Sequence, residues 1–352
     1  MSRRRGPLME RVEAFSLKVL LLALRYVPTR LCVGVLRVLG FLAFHVVRGR
    51  REIGRRSVKL ALGLEGREAD RVVAGAFRTL ALNVGESILV QRKLARMDLE
   101  DFITVVGGEH IAAADAKGKG VLLAGAHYGC WEASAVAISR HVRRVWAVGR
   151  PLDNPHLAKL VTELREQPLA GTLEKEGSGR ELVRLFRKGE IVGLLLDQNA
   201  GRQGMMLDFF GRPTMQHKVS GVMSTRFGVP VVPVYMTREP GHLRFRLEFE
   251  PAIEANPSLS EEDAIQDVMR RVSESLEARI RAQPDQWLWL HDRWRKAQWL
   301  LDRQARQAAR AEAAEAASGE TGGSEAVGGS EAGGAPEAPA AEGAQASAAQ
   351  PA

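Results

Sequence analysis

From Val121 onward the chain alternates short, nearly unbroken apolar runs with helical stretches, and few folds accommodate that rhythm. The runs are "VLLAGA" (121–126), "RVWAV" (144–148), "IVGLLL" (191–196), "VPVVPVYM" (229–236) and "LRFRLEF" (243–249). Three of them lack the polar alternation of a half-solvated strand, as a sheet covered on both faces requires. Helix candidates fall between them near 155–166, 178–188 and 217–227, with Gly189 closing the second. Strand–helix alternation of this kind predicts an α/β fold with a mostly parallel central sheet flanked by helices.

The N-terminus is built differently. Residues 1–60 carry fourteen Lys or Arg and three acids, a local charge of +11 out of a total of +8. The basic residues interrupt apolar sequence, so no clean span of about twenty apolar residues exists. The best candidate is 31–47, with Arg37 and His45 inside it and Arg48, Arg50 and Arg51 just beyond. No cleavage site for a secretory signal follows. Basic amphipathic sequence of this type implies attachment to a membrane, either by a marginal transmembrane helix or by helices lying in the interface against anionic headgroups. We divide the chain into membrane-associated helices over 1–55, a catalytic domain over 56–300 and a tail over 311–352.

That tail holds seven Glu and no base among Ala, Gly and Ser, and it predicts disorder. With the ends removed, the middle is only mildly basic at +4. A basic isoelectric point therefore gives no argument for nucleic acid, which needs the charge on one folded face. Two cysteines, Cys32 and Cys130, give neither a disulfide framework nor a zinc pattern, so no metal is expected.

The stretch "GAHYGCWEAS" (125–134) carries the chemistry. His127 and Glu132 stand five apart, about 140° around a straight helix, where they would not meet. A strand ending near Ala126, a turn at Gly129 and a helix over 131–140 would instead place His127 at the carboxyl end of a strand. Ligands bind there in parallel α/β sheets. Glu132, in the first turn of the helix, would then fold back on the imidazole and fix its tautomer, leaving the second nitrogen as a general base for a hydroxyl. Further along come "GRPLDNPHL" (149–157), "LLLDQN" (194–199), "DFFGRPT" (208–214), "GVPVVPVY" (228–235) and the closing "PDQWLWLHDRW". A long helix with Ser260 as its N-cap precedes that last stretch and ends at Pro284. Two or more of its three Trp are expected in the core.

This succession resembles the bacterial lysophospholipid acyltransferase family, and within it the branch of late lipid A (lauroyl/myristoyl) acyltransferases, over roughly residues 10–298. The resemblance implies a glycerol-phosphate-acyltransferase-like fold and an O-acyltransferase at the cytoplasmic side of the cell inner membrane. Such an enzyme would pass a fatty acyl chain from acyl carrier protein, or from coenzyme A, to a hydroxyl of a lipid A precursor. Glycerolipids or other glycolipids are alternative acceptors. His127 would be the base and Glu132 its orienting acid, with direct transfer and no acyl-enzyme. No cofactor is implied beyond the thioester co-substrate, and the partners are acyl carrier protein, the glycolipid and membrane lipid, not nucleic acid. Arg150 falls where the family carries a basic residue near phosphate. Asp197 and Gln198 would shape the cleft, and Phe210 and Gly211 would line an acyl groove. The chain departs from the glycerol-phosphate acyltransferases where they read Pro-Glu-Gly, having Asp197-Gln198 instead. No Gly-x-Ser-x-Gly elbow supports a serine hydrolase, and "GAHYGC" has neither nucleotide-binding glycine spacing. A basic membrane-surface binding protein would explain the charge but not the His–Glu pair.

Overall fold

The computed structural model describes residues 26–149, 154, 169–174, 177–200 and 204–321, together with residues 15, 16 and 19. Among the described elements three helices come first: α1 (Thr29–Val46), α2 (Arg48–Leu62) and α3 (Gly66–Leu94). Gly63, in the left-handed region at φ 69°, ends α2 and turns the chain into α3. One face of α1, with Val33, Leu36 and Phe44, is buried, whereas Leu31, Phe41 and Leu42 on other faces are exposed. At 18 residues α1 is long and apolar enough to cross a membrane by length and composition. Gly40 lets α1 approach α3: a Cβ there would lie 2.8 Å from Arg78 Cα and 3.1 Å from the Phe77 carbonyl.

The sheet-forming part follows as β1 (Ile103–Val106), α4 (Gly108–Asp115), β2 (Val121–Gly125), α5 (Trp131–His141), β3 (Trp146–Gly149), β4 (Gly171–Glu174), α6 (Gly179–Arg187) and β5 (Ile191–Leu195). Then come β6 (Met205–Phe209), β7 (Arg212–Gln216), α7 (Val219–Phe227), β8 (Val231–Arg238), β9 (Phe245–Phe249) and α8 (Glu261–Ala282). Seven strands form one sheet in the order β1-β9-β8-β2-β5-β3-β4. All neighbours are parallel except β8 and β9, so the fold is the mostly parallel α/β sheet expected from the sequence. The central strand β2 is buried along its first four residues, as its unbroken apolar run requires. β6 and β7 form a separate antiparallel hairpin. The helix expected over 155–166 lies outside the described residues.

α2 runs through residue 55. The last helix, α9 (Arg295–Thr321), extends eleven residues into the segment read as a disordered tail. Its sequence is dense in Ala, Arg, Gln and Glu, all strong helix formers, and compositional arguments for disorder ignore that local propensity. Residues 322–352 lie outside the described residues.

Because the α1–α3 contact is limited by backbone at Gly40, a β-branched residue there must push the helices apart. Gly40→Val is expected to destabilise the fold by about 1–3 kcal/mol, measured as a lower urea midpoint with an unchanged slope.

Candidate active site

The parallel register of β2 with β5 sets Gly125 opposite Leu195. Two residues beyond each strand end stand His127 and Asp197, so the sheet itself brings them together. His127 Nδ1 lies 2.8 Å from Asp197 Oδ1, and the His127 backbone N–H donates to Asp197 Oδ2 at 3.0 Å. An ionised carboxylate only accepts, so Nδ1 carries the proton and Nε2 is the bare nitrogen of the neutral ring. The Gln198 side-chain amide nitrogen sits 3.3 Å from that Nε2, in position to donate to it. The imidazole is thus oriented from both sides by two consecutive residues at one strand end.

Asp197 is 3% exposed. Burial by itself would raise its pKa, but the charge that His127 carries in acid, its hydrogen bond, the nearby Arg293 and the Trp287 indole outweigh it. Together they hold the carboxyl well below the ordinary carboxylate range. Trp287 Nε1 donates to Oδ2 at 2.9 Å, and Arg293 donates to the Asp197 carbonyl at 2.7 Å. Arg293 is buried too, which lowers its pKa to about 10 and leaves it cationic at neutral pH. Its guanidinium stacks over Phe209, 4.8 Å from the ring centroid. The closing segment "QWLWLHDRW" therefore packs against the back of the site. Trp287, Trp289 and Trp294 are all buried, so the expected core packing holds for the three.

The turn after His127 is fixed by backbone. Gly129 has φ 59°, and a Cβ there would fall 2.0 Å from the Met236 carbonyl. Only glycine fits that close approach to β8. Gly129 N–H donates to the Gln286 carbonyl and Cys130 N–H to the Met236 carbonyl. From α3, Asn83 donates to the Gly129 carbonyl at 2.8 Å and accepts from the Glu132 N–H at 3.3 Å, joining the turn to the first turn of α5. One turn along α3, Glu86 forms a buried ion pair with Arg238 of β8.

These contacts correct one expected role. The carboxylate on Nδ1 belongs to Asp197, not to Glu132. The strand–turn–helix arrangement is as expected, but the phase of α5 sets Trp131 beside the imidazole, edge-on with centroids 5.4 Å apart. Glu132 is half-buried in the first turn of α5. Asp197 and Gln198, expected to shape the cleft, instead contact the base directly. Phe210 and Gly211 form the two-residue turn of the β6–β7 hairpin, with φ 54° and 66°. The Phe210 ring lies between Phe209 and the Arg281 guanidinium, and its N–H donates to Glu277, so it faces α8. Those contacts give the pair a structural role at the hairpin turn. The aromatic side chain that reaches the Asp197 surroundings is its neighbour Phe209, through Arg293 and Trp287. Arg150 lies outside the described residues. Asn83, Trp287 and Arg293 escaped sequence reasoning as site residues. The only sequence signal was that Trp and Arg cluster in a segment following the last long helix. Among the described residues, no group of three His, Cys, Asp or Glu is placed to hold a metal ion.

The bacterial lipid A biosynthesis acyltransferase profile matches residues 8–296. The chain belongs to that family. The lipid A biosynthesis lauroyltransferase of Escherichia coli K12 is 26% identical over 264 residues, 73% of this chain and 83% of the relative. A phosphatidylinositol mannoside acyltransferase of Mycobacterium tuberculosis is 24% identical over 58% of this chain and 62% of its own length. Among solved structures, the 1-acyl-sn-glycerophosphate acyltransferase of Thermotoga maritima aligns with 70% of this chain at 14% identity and a TM-score of 0.35. The protein is an acyltransferase, and the resemblance drawn from its motifs holds.

The depressed pKa of Asp197 has a sign that stability measurements can read. Its carboxylate favours the folded state above the ordinary carboxylate value of about 4, and this contribution is lost as pH falls below that value. The melting temperature of Asp197→Asn is expected to lie below that of the parent at pH 7, with the gap closing as pH drops below about 4.

Proposed function

We propose that this acyltransferase moves a fatty acyl chain from the thioester of acyl carrier protein to a hydroxyl of a lipid A precursor, with His127 as general base. The observation that carries this reading is the imidazole held by ionised Asp197 at Nδ1, with Nε2 bare. Nε2 takes the proton of the acceptor hydroxyl as its oxygen attacks the thioester carbonyl. The C–O bond forms, the C–S bond breaks, and the leaving thiolate recovers the proton from the imidazolium. The developing oxyanion needs donors. The Gln198 amide, already within 3.3 Å of Nε2, is suited to that task once the hydroxyl replaces it on the ring.

Direct transfer is supported by Cys130, the cysteine nearest the base in sequence. It is fully buried, and burial foremost pushes its thiol well above the usual range, so it makes a poor acyl carrier. No cofactor beyond the thioester enters this scheme. The acceptor follows from the family and its lipid A acyltransferase relatives. A different phosphorylated glycolipid is the second reading, favoured by the phosphatidylinositol mannoside relative. Arg150, next in sequence to the last residue of β3, would contribute a phosphate contact. Exposed apolar side chains on α1 beside Arg30, Arg37 and Arg48 support seating on the inner membrane, with the site on the cytoplasmic side.

His127→Ala is expected to lower turnover at least a hundredfold, read as thiol release from acyl carrier protein in the presence of acceptor. Lipid extracts of cells carrying only that variant should lack one secondary acyl chain on lipid A by mass spectrometry. Altered phospholipids with intact lipid A would overturn the acceptor assignment.

Which acid serves the base can be separated by pH. Removing the Asp197 charge lowers the His127 pKa, so Asp197→Asn should shift the acid limb of kcat/KM to lower pH as it lowers the rate. Glu132→Gln should leave that limb in place whatever its effect on rate. A shifted limb in Glu132→Gln, with none in Asp197→Asn, would return the orienting role to Glu132.

A further inference from the structure

Three segments meet where the chain enters α1. Thr29 Oγ1 lies 2.9 Å from Nε2 of His242, which stands in the β8–β9 loop. Lys93, near the end of α3, donates to the Leu243 carbonyl of that loop at 3.3 Å, and its ammonium lies over the Phe102 ring. Arg92 donates to the Val27 carbonyl at 3.0 Å. The start of α1, the end of α3 and the β8–β9 loop are thus pinned to one another.

The charges gathered there have one sign. Burial first, then the positive charges of Lys93, Arg30 and Arg37, push the His242 pKa below its ordinary value. Burial and Arg244 do the same to Lys93, and Asp101 alone acts the other way. Glu239, the carboxylate within the loop, is taken by Arg246 at 2.8 Å. Arg30, Arg37 and Arg244 are exposed and make no side-chain hydrogen bond or ion pair among the described residues. Cations held this close repel one another, and an anion among them relieves that repulsion. Unpaired guanidinia suit phosphate oxygens through their planar forks, and Lys93 keeps two donors beyond the one given to Leu243. Apolar surface adjoins the cluster. Arg30 and Arg37, two turns apart, share one side of α1, and the exposed Leu31, Val35 and Val38 lie on the adjoining side. A free anion would use the cations alone, whereas a lipid with an anionic headgroup uses both surfaces.

We propose that the cluster at the start of α1 is a discrete binding site for the phosphodiester headgroup of an anionic membrane phospholipid, a ligand other than the acyl donor and acceptor. The inference rests on the interfacial seating of α1 proposed above and adds a specific ligand to it. The phosphate meets Arg30, Arg37, Lys93 and Arg244, and the acyl chains run along Leu31, Val35 and Val38. Diffuse attraction to a charged surface needs only net charge, but this site needs these particular residues.

Full-length enzyme in micelles of a neutral detergent is titrated with pyrene-labelled phosphatidylglycerol, and binding is followed by energy transfer from tryptophan. Phosphatidylcholine carrying the same label is the zwitterionic comparison. The parent should bind phosphatidylglycerol saturably and about tenfold more tightly, the scale of one charge-assisted hydrogen bond. Arg30→Gln with Arg244→Gln, which removes no hydrogen bond between described residues, should abolish most of that preference. Arg48→Gln with Arg67→Gln takes the same charge from α2 and the start of α3 and should leave the preference within about twofold of the parent, because neither residue belongs to the cluster. Equal binding of the two lipids by the parent, or equal losses in the two double variants, overturns the proposal. So does full displacement of the labelled lipid by millimolar inorganic phosphate, which would make this a free-anion site. A raised KM for the glycolipid acceptor or a lost affinity for acyl carrier protein in Arg30→Gln with Arg244→Gln, measured without phospholipid, also overturns it by giving the cluster to a substrate. Flotation of the parent with phosphatidylcholine vesicles tests the seating of α1 separately. If the parent selects phosphatidylglycerol through Arg30 and Arg244 but does not float, the site stands and the seating falls. If it floats without selecting, the site falls and the seating stands.

Discussion

A buried negative charge at Asp197 is what the site is built around. An ionised carboxylate removed from water costs several kcal/mol unless its oxygens are filled with donors. Here the donors come from three places in the chain: the ring and backbone of His127, the indole of Trp287 and, behind the carbonyl, the guanidinium of Arg293. Each donor is held by something else. Trp287 packs on Phe209 and Trp289, and Arg293 stacks on Phe209. The charge that orients the base is therefore stable only when the C-terminal segment has closed over the sheet. The same arrangement makes the imidazole's tautomer a property of the whole fold and not of a local motif.

Helix α3 ties the other side of the turn in place. Asn83 satisfies the Gly129 carbonyl and the Glu132 N–H at once, and Glu86 binds Arg238 at the end of β8, whose Met236 carbonyl receives Cys130 N–H. A turn with a glycine at positive φ, where any Cβ would lie 2.0 Å from the Met236 carbonyl oxygen, has little freedom to relax. Polar groups on one helix face thus replace the packing that a side chain at Gly129 would otherwise give. Buried networks of this kind hold geometry only while every member is satisfied.

The strands that carry the site were legible because burial on both faces writes an unbroken apolar run. Residues 121–126 and 191–196 were read from sequence, and the strands are Val121–Gly125 and Ile191–Leu195. β1, β4 and the β6–β7 hairpin escaped because they are four or five residues long, at a sheet edge or outside it, and partly polar. His127, Asp197 and Gln198 were each visible at a strand end. Their pairing was not, because it depends on the register of two strands separated by seventy residues of sequence. Local spacing favoured Glu132, five residues from the base, and helix phase gave the neighbouring place to Trp131 instead. Trp287 and Arg293 sat in a segment recognisable by composition, yet nothing local says that their donors point at a carboxylate.

Helix α3 also connects the site to the surface that faces lipid in the proposed reading. α1 packs on α3 so closely at Gly40 that backbone meets backbone, while Asn83, little more than one turn beyond Arg78, holds the His127 turn. A helix that anchors the apolar face of α1 at one level and the catalytic turn at the next acts as a ruler between them.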